Sequence, residues 1–157
     1  MKLKESKISR KSVYECSFLE LFEDEVLLPN NETSKRVYIK HNGGAAVLPI
    51  TNEGNIILTK QYRYPIGQVS IEIPAGKKDS ALELGIDCVT RELEEETGYQ
   101  SNNFSKFTDI HGCVGYSSEI IELFVASDCF KVDNPKAADD DEFIEVLECS
   151  IKDVKRM

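Results

Sequence analysis

There is no tryptophan in this chain of 157 residues, and histidine occurs twice, as His41 and His111. Without tryptophan, any aromatic grip on a nucleobase must use tyrosine or phenylalanine. The two histidines have no partner at ligand spacing, so both are expected to be structural. Cysteine occurs five times, at Cys16, Cys88, Cys113, Cys129 and Cys149, and never as a C-x-x-C pair. An odd, unpaired set argues against a disulfide framework and for reduced thiols in a cytosolic protein. Cys113 is expected to be buried and inert, since nothing beside it in sequence would lower its pKa. No apolar run approaches the ~18 residues of a membrane span. Residues 1–11 are charged and lack an apolar centre, so no signal peptide is expected and the location is taken as cytoplasmic. Positive charge is also scarce: 19 Lys and Arg stand against 28 Asp and Glu, a net charge of −9. Such a surface repels a nucleic-acid duplex. It still accepts a small phosphorylated ligand where a metal and a few arginines invert the local field.

What is present suffices for one packed unit: 41% of the residues are hydrophobic, and a chain of this length buries roughly two-thirds of its unfolded surface. Residues 1–43 read as a β-rich arm with strands at Ser12–Phe22, Glu25–Leu28 and Ser34–Lys40, the last after a Pro29-Asn30-Asn31 turn. The arm has little apolar mass of its own and must lean on something else. Residues 44–157 form the main unit. Ala45–Ile50 and Asn55–Gln61 flank a hairpin signal, Thr51-Asn52-Glu53-Gly54. Pro49 cannot donate to a ladder, so it suggests an edge or a bulge. Further strands are expected at Val69–Ile73, Phe107–Ile110, Ile120–Ala126 and Phe143–Ser150, with a helix from about Ser80 to Thr97 and the first turns of another at Ile151–Met157. The sum is an α+β domain, a central helix packed on strands.

That central helix carries the chemistry. Four of the six residues from Arg91 to Glu96 are glutamates, and Gly98 is a helix-stop signal. At about 100° per residue, Glu92, Glu95 and Glu96 share roughly one quadrant, beside the apolar stripe Ile86, Val89 and Leu93. Like charges on the shoulder of a buried face repel unless a cation holds them. Oxygen ligands at i, i+3 and i+4 suit Mg²⁺, with Mn²⁺ as the other choice. Glu94 points about 160° from Glu92 and reads as a solvated surface residue. Ser80 and Glu83 fit a capping box, one of two open roles for Glu83.

Glu72-Ile73-Pro74-Ala75-Gly76, then Glu83, then Arg91-Glu92-Leu93-Glu94-Glu95-Glu96-Thr97-Gly98-Tyr99 resembles the Nudix box: Gly, five residues, Glu, seven residues, Arg-Glu-U-X-Glu-Glu-X-Gly-U, with U bulky and apolar. The gap from Glu83 to Arg91 is the expected seven, whereas that from Gly76 to Glu83 is six instead of five. Outside the box, Leu28-Pro29-Asn30, Gln61-Tyr62-Arg63-Tyr64-Pro65, Gly115-Tyr116-Ser117-Ser118-Glu119 and Asp141-Glu142-Phe143-Ile144-Glu145-Val146 resemble the ADP-ribose and nucleoside-diphosphate-sugar pyrophosphatase branch. Val114 stands where that branch usually has proline.

The resemblance implies an αβα sandwich with a mixed central sheet, and metal-dependent hydrolysis of a nucleotide sugar, ADP-ribose first, to AMP and ribose 5-phosphate. It implies Glu92, Glu95, Glu96 and the Ala75 carbonyl as metal ligands, with Arg91, Glu72 and Glu83 arranged around them. The general base is expected in the stretch Asp139-Asp140-Asp141-Glu142, with Glu142 first and Glu119 second; a solvated acidic loop is the other reading. Arg63, at a strand end, either holds a phosphate or forms a surface salt bridge. Tyr38 sits where relatives tend to carry an aromatic against substrate, and sheet packing is its other reading. Usage in this branch and the weak self-sufficiency of residues 1–43 imply a homodimer. The alternatives are another nucleotide sugar such as GDP-mannose, a dinucleotide, or a Nudix module that binds without cleaving.

Overall fold

The computed structural model of the chain describes residues 3–137 and 142–157. Its first three strands, β1 (Ser6–Glu15), β2 (Leu19–Leu27) and β3 (Thr33–His41), form an antiparallel sheet of their own, in that order. The expected single strand Ser12–Phe22 is in fact two, because the chain reverses at residues 16–18, where the Cys16 N–H donates to the Leu19 carbonyl at 3.0 Å. No Gly, Pro or Asn marks that reversal, and Glu25 to Leu27 simply continue β2. The next turn is conventional: Asn31 takes φ 68°, and the Glu32 N–H donates to the Asn30 side chain. Along β2 the alternate residues Phe22, Asp24 and Val26 are buried, the period of a half-covered strand. Asp24 accepts from Nε and Nη2 of Arg10, each at 2.9 Å, and Arg10 lies 4.2 Å above the Phe22 ring. The arm leans on residues 116–118: the Ile39 N–H donates to the Tyr116 carbonyl, and the Ser118 N–H donates back to the Ile39 carbonyl.

The remaining strands make one mixed sheet: β4 (Gly44–Thr51), β5 (Asn55–Arg63), β6 (Gln68–Glu72), β7 (Ala75–Lys77), β8 (Tyr99–Gln100), β9 (Asn103–Ile110), β10 (Ile121–Lys131) and β11 (Ile144–Ser150). A 3₁₀ turn at Tyr64–Ile66 joins β5 to β6. The spine runs β11–β5–β4–β10–β8, with β6 beside β5, β7 beside β4 and β9 beside β10. Among the described residues of this sheet only β4 and β10 pair in parallel, Ala45 opposite Glu122 and Val47 opposite Phe124. Pro49 is not at the rim of this sheet but fully buried within it. On that side β4 pairs with β7 at Gly44–Ala46 and with β5 at Ile50, so Pro49 falls between two pairings, where no N–H is required.

Helix α1 spans Gly85–Thr97 and packs its apolar stripe on β4 and β10. Cys88, Val89 and Leu93 meet Ala45, Val47, Phe124 and Ala126 in one core. Burying Val89 and Leu93 contributes about 1.5–3 kcal/mol each. The helix begins five residues later than expected at Ser80, with Leu84 as N-cap and no side-chain cap. The capping box therefore does not form: Ser80 Oγ accepts from the Leu82 N–H, and the Glu83 carboxylate accepts from the Asp79 N–H, both within a turn. The stop is where the sequence marks it, at Gly98, with φ 71° and its N–H on the Glu94 carbonyl. A mixed sheet with a helix against it is the α+β class. The second helix, α2 (Ile151–Val154), is a single turn.

Candidate active site

Three short registers assemble the site. Strand β7 lies against β4 with Ala46 opposite Ala75 and Ala45 opposite Gly76, which fixes residues 75 and 76 beside the sheet. Helix α1 then lays its acidic shoulder across that backbone. A Cβ on Gly76 would fall inside the Glu92 carboxylate, so only glycine allows the two to meet. Glu96 reaches the same strand and accepts the Ala75 N–H at 3.1 Å.

Arg91 holds the acids in place. Its Nη1 donates to Glu92 Oε1 at 2.8 Å and to Glu95 Oε2 at 3.1 Å, while Nη2 reaches the Lys77 carbonyl at 3.4 Å. The Glu83 carboxylate stands 3.6 Å from Nη2. The extra residue before Glu83 is taken up in the turn at residues 78–84, and Glu83 still faces Arg91. On the other side of the cavity, Arg63 donates twice to Glu72, 2.8 Å for each bond, a fork-to-carboxylate pair.

These residues line one cavity of about 370 Å³. Arg63, Glu72, Ala75, Arg91, Glu92, Glu95, Glu119 and Glu142 all border it. Glu96 lies behind it, buried. Tyr38 does not border it: its ring packs on Phe22, and its hydroxyl bonds to Arg10 and Asp24 in the arm. These contacts are those of its sheet-packing reading. Asp139, Asp140 and Asp141 lie outside the described residues.

Three other expectations change. Glu94 is buried, because residues 132–136 cover the helix face that the wheel leaves open. Cys113 is half-buried and accepts the Tyr116 hydroxyl at 3.0 Å. His41, expected to be merely structural, borders the cavity; its Nδ1 accepts the Gly43 N–H at 3.0 Å and lies 3.5 Å from Glu119. Lys77 and Asp79 also border the cavity and were not anticipated. Their closeness to Ala75 and Gly76 in sequence was the available signal, whereas nothing local joins His41 to Glu119.

The electrostatics are those of crowded acids. Burial raises the Glu92 carboxyl, against the pull of Arg91. Burial, reinforced by repulsion from Glu92, pushes Glu96 up to about 8. Glu72 is held below its ordinary value, chiefly by Arg63. Two buried carboxylates raised in this way are a site short of positive charge. The donors are all hard oxygens, the chemistry of a divalent cation that keeps water or phosphate oxygens in its shell. Among the described residues no three acids already converge as a closed cage, since Glu92 and Glu95 turn toward Arg91. The donor set thus fits an open Mg²⁺ or Mn²⁺ site that is completed by its ligand.

The NUDIX domain model matches residues 40–157. The chain belongs to the Nudix family. The ADP-ribose pyrophosphatase of Bacillus subtilis (strain 168) is 37% identical over 155 residues, 99% of this chain and 83% of that protein. The methanol dehydrogenase activator of Bacillus methanolicus is 37% identical over 147 residues, 94% of this chain and 79% of that one. A solved structure described as an ADP compounds hydrolase superposes with a TM-score of 0.79 at 18% identity, covering 100% of this chain and 86% of that one; it shows the Nudix fold. The box of this Nudix chain is therefore the β7–turn–α1 unit, with its acids facing the cavity and its arginine among them.

Proposed function

We propose that this Nudix protein hydrolyses the pyrophosphate bond of a nucleoside diphosphate sugar, ADP-ribose first, releasing AMP and ribose 5-phosphate. The observation that carries the reading is the facing of two charge systems across one cavity: Glu92 and Glu95 on α1, and the Arg63–Glu72 pair at the ends of β5 and β6. A diphosphate needs both, cations on its oxygens and a group that activates water. The 37% identity to an ADP-ribose pyrophosphatase over nearly the whole chain supports the same substrate class.

Glu92, Glu95, Glu96 and the Ala75 carbonyl would hold the divalent cation, Mg²⁺ by preference. Such an ion, when bound, neutralises phosphate charge and lowers the pKa of a water molecule. Arg91 donates from one nitrogen to both Glu92 and Glu95 and so holds the two carboxylates side by side at the cavity wall; Glu83 orients Arg91 in turn. Arg63 has its Nε and Nη2 on Glu72, which sets the plane of the guanidinium so that its remaining donors can meet a phosphate oxygen. Glu142 is the general base, facing Glu92 across the same cavity, and Glu119 is the second choice. The protein acts as a cytoplasmic homodimer. Support for pairing comes from β1, whose ten residues are all exposed and which, among the described residues, has a strand partner on one side only.

The test is turnover of ADP-ribose and a panel of nucleotide sugars and dinucleotides, with Mg²⁺ and with EDTA, and products separated by chromatography. Metal-dependent AMP release, greatest with ADP-ribose, is the expected result. Release from GDP-mannose alone would overturn the substrate. Glu95→Gln distinguishes a binder from an enzyme, since an enzyme loses turnover far more than affinity.

A further inference from the structure

The cations of the cavity are not equally engaged. Among the described residues they are Arg63, Lys77 and Arg91, outnumbered by the carboxylates around them. Arg63 is held in a fork by Glu72, and Arg91 by Glu92, Glu95 and Glu83. Lys77, among the described residues, pairs with no carboxylate. Its backbone is fixed, opposite Gly44 in the β4–β7 register and with its carbonyl accepting from Arg91. Its ammonium lies over the ring of Phe18, 5.0 Å from the centroid, in the reversal between β1 and β2. The same ring meets His41 edge-on, at 5.8 Å and 76°. His41 is tied to the backbone beside Gly44, since its Nδ1 accepts the Gly43 N–H. A ring nitrogen that accepts carries no proton, so the neutral imidazole has its N–H at Nε2. Glu119 stands on the Nδ1 side, at 3.5 Å. Two side chains with nitrogen donors thus border the cavity together, one charged and one neutral.

We propose that Lys77 and His41 form an anion subsite that holds one phosphate of the diphosphate, with Phe18 bringing the two side chains together. The proposal rests on the reading of the cavity as a nucleoside diphosphate sugar site. A diphosphate carries its charge into a cavity already rich in acids, so it needs cations that are not spent on those acids. Arg63 and Arg91 each have donors committed to carboxylates. An ammonium resting on an aromatic face is held more weakly than by a charge-assisted hydrogen bond, so a phosphate oxygen engages it without breaking an ion pair. The Nε2–H of His41 adds a second donor, and the Gly43 N–H on Nδ1 keeps that tautomer in place. Phe18 and His41 both come from the arm, on either side of β2 and β3, whereas Lys77 comes from β7. The subsite therefore exists only where the arm is docked on the main sheet, which gives residues before β4 a share in holding the substrate.

The test pairs steady-state kinetics on ADP-ribose with calorimetric binding of inorganic pyrophosphate in Mg²⁺, both on the full chain. Lys77→Met keeps a stem beside Phe18 and removes the charge. It should weaken pyrophosphate binding and raise KM, each about tenfold, and lower kcat less. Lys77→Arg should recover most of both, which a role for the stem alone does not predict, since methionine already satisfies it. His41→Asn keeps an acceptor for the Gly43 N–H at the δ position and removes the Nε2 donor; it should weaken both about fivefold. Unaltered binding by His41→Asn would overturn the pairing of the two residues. Pyrophosphate held equally by the unaltered chain and Lys77→Met, or not held by the unaltered chain, would overturn the subsite whatever the substrate. So would a KM that rises in Lys77→Met while pyrophosphate affinity stays, because the lysine then meets a part of the substrate other than phosphate. If the unaltered chain cleaves no nucleotide sugar while Lys77→Met loses pyrophosphate affinity, the subsite stands and the substrate reading falls.

Discussion

The Glu92 carboxylate occupies the space that any side chain on residue 76 would need, so a helix acid and a strand glycine are fitted as a single part. Gly76→Ala must either swing Glu92 out of the cavity or push β7 off β4. Displacing a ligand by about an ångström costs on the order of 10² in rate. The overpacking costs roughly 1–3 kcal/mol of stability. Steady-state kinetics and urea melts of the one variant measure both, and wild-type turnover would show that Glu92 is not needed where it stands.

Arg63 donates two parallel hydrogen bonds to the Glu72 carboxylate, a geometry that lysine cannot copy. Arg63→Lys should raise KM about tenfold, one lost charge-assisted contact, and change kcat less. An unchanged KM would reduce Arg63 to the salt-bridge role.

The arm has its own pH signature. Arg10 holds the Asp24 carboxyl below its ordinary value, so folding favours the ionised form. The contribution is fully present above the unfolded value, about 4, and is lost as pH falls through the depressed folded value. Asp24→Asn should therefore be less stable than the unaltered chain at pH 7, and the gap should close as the buffer is taken below about pH 4. Denaturant titrations at a series of pH values read this directly; a gap independent of pH would remove the ion pair from the account.

Thiol labelling should divide the cysteines. Cys88 and Cys129 are buried, and burial pushes the Cys88 thiol up to about 12. Cys16, Cys113 and Cys149 are half-buried. A maleimide at neutral pH should modify those three in the native protein and all five after denaturation, as counted by intact mass.

Much of this was legible because it is local. The acids at Glu92, Glu95 and Glu96 keep helical spacing, Gly98 ends the helix, and the apolar run Ile56-Ile57-Leu58 marks a strand covered on both faces. The errors come where distant chain intervenes. A helical wheel leaves Glu94 in solvent because it contains no information about residues 132–136. His41 meets Glu119 because β3 is bonded to residues 116–118, which no local pattern states. The reversal at residues 16–18 carries no Gly, Pro or Asn; the pairing of β1 with β2 along their whole length imposes it. Tyr38 follows the same logic, drawn into the Arg10–Asp24 network of its own sheet.

The turn between β7 and α1 has a practical meaning. Ser80, Ala81 and Leu82 are exposed there, Leu82 at 91%. Extra length at that point costs only loop closure, a few tenths of a kcal/mol for a residue or two. The same addition inside β7 would turn every later side chain of the strand to the opposite face. Residues 80–82 are therefore where a reporter, a tag or a longer loop can be spliced into the middle of the signature while the acids keep their places.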